Sequence, residues 1–324
     1  MRYFITGGAG FIGSNFVELL FETVENMQSV TIFDKFTYAS NPRNYAKFLD
    51  DPRLKIVIGD ICNPAELEKA MIEHDIVIHF AAESHVDRSI ESASEFVRTN
   101  VMGTYNVLES SRKLQVKTVI HVSTDEVYGS LTIGAANEKD ALEPNSPYAA
   151  SKAASDLLAR SYYITHGLDV RITRCCNNYG KYQFPEKVVP VFIRNLISGK
   201  KLPIYGDGTN VREWIHVTDH CRAIQLVLEN GNPGEIYNIG SGNHLSNNEL
   251  ATKLILAMGL NVDMKSYVAD RKGHDFRYSI NSDKLESLGY KQNTIFDLGL
   301  IETINWYKKN WLWWDGDELT NSLP

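Results

Sequence analysis

The chain has 324 residues, 43% hydrophobic and 23% charged, a balance that supports a large folded core and excludes fibrous or low-complexity structure. Its 33 Lys and Arg against 40 Asp and Glu give a formal net charge of −7. That is the reverse of the basic footprint nucleic-acid binding requires, so no nucleic-acid partner is expected.

The first β-branched run, Tyr3-Phe4-Ile5-Thr6, is too short and too quickly followed by glycine for a signal peptide. No run of about 20 apolar residues occurs anywhere, so no membrane span is expected. The run leads directly into Gly8-Ala9-Gly10-Phe11-Ile12-Gly13, a G-x-G-x-x-G pattern that opens an apolar-periodic segment through Phe16, Leu19, Leu20 and Phe21. Glycines at this junction let the backbone turn tightly and approach a pyrophosphate, while the helix N-terminus presents unpaired N–H donors. Gly7 adds a second tight-turn position at the strand end.

A second run, Val30 to Phe33, ends at Asp34, 21 residues past Gly13, where a carboxylate can accept from the adenosine ribose hydroxyls. Together these features favour NAD. The neighbouring Lys35 argues the other way and leaves NADP open. Further runs follow at Lys55–Ile58, Ile76–Phe80, Thr118–Val122 and Asp169–Thr173, with helical stretches between them. Six near-continuously apolar strands alternating with helices predict a Rossmann-type, doubly wound parallel α/β sheet covered on both faces.

The fifth run continues into Ser123-Thr124-Asp125-Glu126-Val127-Tyr128-Gly129 at the carboxyl end of the sheet, where ligands of open α/β sheets bind. Successive strand residues face opposite ways, so Asp125 and Glu126 serve one substrate only if the chain has already left the ladder. Tyr148 and Lys152 are four apart on a helix that Pro147 would start, placing phenol and ammonium on one face. Positive charge from Lys152 and a nicotinamide would favour the phenolate and make Tyr148 a base.

Beyond about residue 174 the pattern loosens into a helix around Val188–Leu196 and short strands near Ile204, Trp214 and Ile236. The expected division is a dinucleotide domain at 1–174 plus about 211–240, with a smaller α/β substrate domain at 175–210 and 241–324. The cysteines Cys62, Cys175, Cys176 and Cys221 contain no C-x-x-C pair, which fits a reducing, cytoplasmic setting. The nine histidines show no ligand spacing, and no metal is expected. The tail from Trp311 carries three tryptophans, read as packing residues.

The order of glycine loop, hydroxyl-bearing strand end, tyrosine and lysine resembles the extended short-chain dehydrogenase/reductase family over essentially the whole chain. Thr124-Asp125-Glu126, Ala81-Ala82-Glu83-Ser84-His85-Val86-Asp87-Arg88-Ser89, Asn177-Asn178-Tyr179-Gly180, Phe184-Pro185-Glu186-Lys187, Tyr205-Gly206-Asp207-Gly208 and Arg271-Lys272-Gly273-His274-Asp275 narrow the resemblance to its dTDP-glucose 4,6-dehydratase branch.

That resemblance implies oxidation of a nucleotide-linked glucose at C4, loss of water across C5 and C6, and reduction at C6, with NAD regenerated in each turnover. Tyr148 would take the C4 hydroxyl proton, Thr124 would bond the same oxygen, and Lys152 would tune Tyr148 and hold the nicotinamide ribose. Glu126 would remove the C5 proton, and Asp125, kept protonated by burial or its anionic neighbour, would protonate the leaving hydroxyl. Gly7, Gly10, Phe11, Ile12, Gly13, Asp34, Lys35, Thr37, Asp60, Ile61, Ala81, Ala82, Thr99 and Asn178 would line the cofactor site. Ser84, Asn177, Lys187, Tyr205, Arg212, Asn247, Arg271 and His274 would hold the nucleotide sugar. Arg212 and Arg271 suit a diphosphate in particular, as planar donor forks.

The resemblance also implies a homodimer joined by helices near Val97–Lys113 and Tyr148–Tyr163. Lys181 stands where the family usually has proline, which leaves the detail of that loop and the choice among dTDP, UDP and CDP open. A UDP-sugar 4-epimerase or decarboxylase would share the cofactor loop, Tyr148 and Lys152, but would not need Asp125. A non-catalytic NAD-binding regulator would lack the tyrosine or the lysine.

Overall fold

All six β-branched runs form strands in the computed structural model, which describes residues 1–314. They are β1 (Arg2–Thr6), β2 (Ser29–Asp34), β3 (Leu54–Ile58), β4 (Ile76–His79), β5 (Thr118–Thr124) and β6 (Val170–Cys175). Downstream lie β7 (Asn177–Tyr179), β8 (Leu202–Tyr205), β9 (Val211–His216), β10 (Ile236–Ile239), β11 (His244–Ser246) and β12 (Lys265–Val268).

Seven strands make one parallel sheet in the order β10-β6-β5-β4-β1-β2-β3. Alternate residues feed two cores. Tyr3, Ile5, Ile32, Ile78 and Ile120 pack with Phe16, Val17 and Leu20 of the helix Phe11–Thr23 and Ile224 of the helix Val217–Asn230. Phe4, Phe33, Val77 and Val119 face the other way, against Leu67, Met71, Val107, Leu108 and Ala159. Burial on both faces explains the apolar runs of the inner strands, each fully buried Ile or Phe contributing roughly 1.5–3 kcal/mol, whereas β3, at the sheet edge, is only partly covered and leaves Ile58 exposed.

The order reverses between β1 and β4, and that switch point opens a crevice at the carboxyl ends of the strands. Across it stands a second core, with Val189, Phe192, Leu196, Ile204, Trp214, Leu254 and Leu300 at its centre. Two small sheets flank this core, β11-β9-β7 and β12-β8. Within residues 211–240, therefore, β10 extends the large sheet and β9 belongs to a small one.

The segment Val97–Gly103, read as ordinary helix from sequence, is π-helical and continues as the α-helix Thr104–Lys113. The three-residue strands β7 and β11 carry too short a pattern to predict, and β12, which pairs only with β8, was not singled out either.

Candidate active site

One crevice of about 690 Å³ runs from the glycine loop to the small sheets, and every site residue predicted above lines it. Its volume suits a ligand larger than a simple metabolite.

The cofactor half is built by the β1–helix junction. Gly7 has φ of 68°, and a Cβ there would lie 2.5 Å from the Ala81 nitrogen, because the turn passes directly against the chain after β4. A Cβ on Gly13 would lie 2.4 Å from the Gly7 oxygen, so helix and strand can approach only with glycine there. Gly10, the residue before the helix, is different. A Cβ there would meet only the Gly7 oxygen at 3.4 Å, and no side chain caps the helix. This open cradle at a helix N-terminus fits a dinucleotide pyrophosphate.

Asp34 ends β2 and is nearly buried. Its carboxylate accepts from the N–H of Ala9 at 2.9 Å, the N–H of Phe36 at 2.8 Å and the Ser40 hydroxyl at 2.9 Å. A carboxylate has about four acceptor positions, so one remains for a ribose hydroxyl. Lys35 does not face an open phosphate position as a lone cation. Its Nζ pairs with Asp60 at 3.0 Å, and Arg98 reaches the same carboxylate at 3.5 Å. The NADP alternative raised by Lys35 loses its charge argument.

β5 ends at Thr124, and the chain leaves the ladder at once as the 3₁₀ turn Asp125–Tyr128, closed by Gly129 at φ of 77°. Thr124 caps that turn, its hydroxyl accepting from the Glu126 N–H at 3.2 Å and donating to Asp125 at 3.3 Å. The geometric condition for two adjacent carboxyls to share one site is met. Asp125 is buried, and desolvation together with the negative charges of Glu126 and Glu213 holds its carboxyl well above the usual range. Its Oδ2 has no hydrogen-bond partner. Glu126 is also raised by burial, opposed by the nearby cations Lys187, Arg271 and Arg212. Of the two carboxyls, Asp125 is the more strongly pushed toward its neutral form, and Glu126 is the one with cations close by.

Tyr148 and Lys152 lie on one buried face of the helix Pro147–His166, whose start is fixed by Pro147 and by Ser146 accepting from the Ala149 N–H at 3.1 Å. The Tyr148 phenol is pushed well above its ordinary value, by burial first and by the negative charge of Glu126 next. Lys152 does not counter this because its Nζ donates to the Val122 carbonyl at 2.8 Å and burial lowers its own pKa.

The far half of the crevice presents cations. Lys187 donates to the Ser84 carbonyl at 2.5 Å. Arg212 lies 4.3 Å over the Tyr278 ring and is braced by the Asp275 carbonyl at 2.9 Å. Arg271 is 3.5 Å from Asp87 and keeps a buried Nε without a partner, as does the Asn177 side-chain oxygen. The His274 ring contacts Asp270 at 2.6 Å, and Tyr205 donates to Asp87 at 3.4 Å. Asn247 completes this wall and Asn178 meets His220 at 2.9 Å behind it.

Several lining residues were not singled out from sequence. Asp87 and Glu186 lay inside quoted motifs, whereas Tyr278 and Trp214 had no local signal at all. Cys175 also lines the crevice, and burial pushes its thiol up to about 12, which makes it a poor nucleophile. Among the described residues no group of three His, Cys, Asp or Glu side chains could hold a metal ion.

The family described as GDP-mannose 4,6 dehydratase matches residues 4–303. A dTDP-glucose 4,6-dehydratase of Streptomyces niveus is 49% identical over 99% of this chain and 98% of its own length. One of Streptomyces antibioticus is 51% identical, over 97% and 95%. The crystal structure of DesIV, a dTDP-glucose 4,6-dehydratase of Streptomyces venezuelae with NAD bound, has a TM-score of 0.95 at 53% identity and covers 97% of this chain and 99% of that one. The chain belongs to the GDP-mannose 4,6 dehydratase family, among its dTDP-glucose 4,6-dehydratase members.

Proposed function

We propose that the protein is an NAD-dependent hydro-lyase that converts dTDP-glucose to its 4-keto-6-deoxy derivative. The observation that carries this reading is the Asp125–Glu126 turn at the crevice, in which burial and the charge of Glu126 push the Asp125 carboxyl well above the usual range while Lys187, Arg271 and Arg212 oppose the effect of burial on Glu126. Epimerisation or decarboxylation of a sugar nucleotide gives such a pair no task, because neither expels the C6 hydroxyl. NAD, when bound, supplies a reversible two-electron acceptor, so that C4 oxidation and C6 reduction cancel within one turnover.

The chain's own residues divide the rest. Thr124 and Tyr148 would hold the C4 oxygen, and Tyr148 would take its proton, with Lys152 and the charge of bound NAD favouring the phenolate. With C4 a ketone, the C5 proton becomes acidic enough for Glu126, and Asp125 gives its proton to the departing C6 hydroxyl, which leaves as water. Arg212, Arg271 and Lys187 offset the diphosphate charge. In this reading the seven-stranded sheet carries the cofactor and the small sheets carry the nucleotide sugar.

We also infer a homodimer. Val97, Met102, Tyr105, Leu157 and Ile164 are exposed on the segment Val97–Lys113 and the helix Pro147–His166, an apolar face that a second copy would cover. Sedimentation is expected to give twice the chain mass. The four unpaired cysteines support a cytoplasmic setting.

The test is incubation with dTDP-glucose in heavy water, read by mass spectrometry of the sugar nucleotide. Loss of one water with one solvent deuterium retained is expected. An intact sugar, with dTDP-, UDP- and CDP-glucose alike and with NAD added, would overturn the assignment.

A further inference from the structure

The catalytic reading uses two separate pieces of chain: the helix carrying Tyr148 and Lys152, and the turn carrying Asp125 and Glu126. Behind both, outside the crevice, lies a buried set of charged and polar groups that the reaction does not use. Asp156 follows Tyr148 and Lys152 at the same spacing of four on the same helix face. Its Oδ2 accepts from Arg174 Nε of β6 at 2.8 Å, and its Oδ1 lies 3.3 Å from His121 Nε2 of β5. Arg174 Nη1 then donates to the Tyr128 hydroxyl at 2.8 Å, with its guanidinium 4.8 Å over the ring. Tyr128 is the last residue of the acid–base turn, and its hydroxyl donates to Asn238 of β10 at 2.8 Å. All five side chains are buried.

A buried ion pair is not retained for stability alone, because apolar residues of similar volume fill such space as well or better. Its distinctive property is direction: each bond fixes one group against another. We infer that Asp156 and Arg174 are positioning residues that tie the Tyr148–Lys152 helix to the Asp125–Glu126 turn through the Tyr128 hydroxyl. The tie sets the register between the oxidation groups and the elimination groups. The same sugar must offer its C4 hydroxyl to one and its C5–C6 bond to the other without leaving the site. The inference deepens the proposed function and rests on it for the chemistry, while the mechanical link rests on geometry alone.

Two variants separate register from stability. Asp156→Leu with Arg174→Met replaces the pair by apolar side chains and also removes an anion that supports the buried Lys152 ammonium, so its kcat is read only beside that of Tyr128→Phe, which keeps that anion. Tyr128→Phe removes one hydroxyl and keeps the ring. The readouts are amide hydrogen exchange at residues 125–129, and kcat and KM for dTDP-glucose. Faster exchange of the turn, a fall in kcat of about tenfold to a hundredfold, and KM within about twofold of the parent are expected. Parental exchange at 125–129, or faster exchange with parental kcat, overturns the inference. Tyr128→Phe is judged by the same two criteria if the double variant does not fold. A parent unable to dehydrate dTDP-glucose would defeat the proposed function, and exchange at the turn would then decide the tie by itself.

Discussion

The ammonium of Lys35 and the carboxylate of Asp60 stand 3.0 Å apart at the adenosine end of the crevice, so the cation that follows Asp34 is already paired. Asp60→Asn keeps the oxygen that accepts from the Cys62 N–H and removes the charge that holds Lys35. The pair is half exposed and worth only about 1 kcal/mol. The variant is therefore expected to improve binding of NADP relative to NAD by about fivefold, measured by titration of both cofactors.

Asp125→Asn and Glu126→Gln are expected to fail at different points. Without Glu126 the C5 proton stays in place, and neither water loss nor solvent deuterium appears at C5. Without Asp125 the ketone and the base remain, so C5 exchanges with heavy water while water loss slows by about 10²–10⁴-fold. Mass spectrometry of recovered substrate distinguishes the two; identical exchange in both variants would refute the division of roles.

The raised pKa of Asp125 has a thermodynamic consequence. A carboxyl whose folded pKa lies above its unfolded value binds its proton more tightly in the native state. Its contribution is fully present below the unfolded pKa and is lost as pH rises through the folded pKa. Asp125→Asn is thus expected to gain stability over the parent as pH rises from the ordinary carboxyl range through the raised folded pKa. Denaturant melts at several pH values check this. Loss of the same proton gives the parent a falling limb in kcat on the high-pH side.

Gly13→Ala and Gly10→Ala separate folding from cofactor binding. A methyl on Gly13 meets the Gly7 oxygen at 2.4 Å, backbone against backbone, and is expected to cost about 1–3 kcal/mol of stability. One on Gly10 meets only that oxygen at 3.4 Å, so the variant is expected to melt like the parent and retain NAD poorly. Thermal melts with and without NAD compare them.

Much of the fold is legible locally. The runs at Tyr3, Val30, Ile76 and Thr118 are mostly apolar because both sheet faces are covered, and such a pattern does not need its partners to be read. Pro147 marks its helix start for a similar reason, through a fixed φ and a missing donor. The strands β7 and β11 left no trace, because three residues cannot express a period and their pairing with β9 is decided by chain far away in sequence.

The site divides along the same line. Sequence alone, through residue type and spacing, pointed to the glycine loop, to the carboxyls after Thr124 and to Tyr148 with Lys152, whereas Arg212 and Arg271 were picked out only by the family resemblance. Only the tertiary structure decided the charge states. Lys35 is spent on Asp60, Lys152 on the Val122 carbonyl, and the Asp125 carboxyl is pushed toward its neutral form by burial first and by the charges of Glu126 and Glu213 next. Protonation depends on burial and on charges brought together from distant segments, and no local stretch of sequence encodes either.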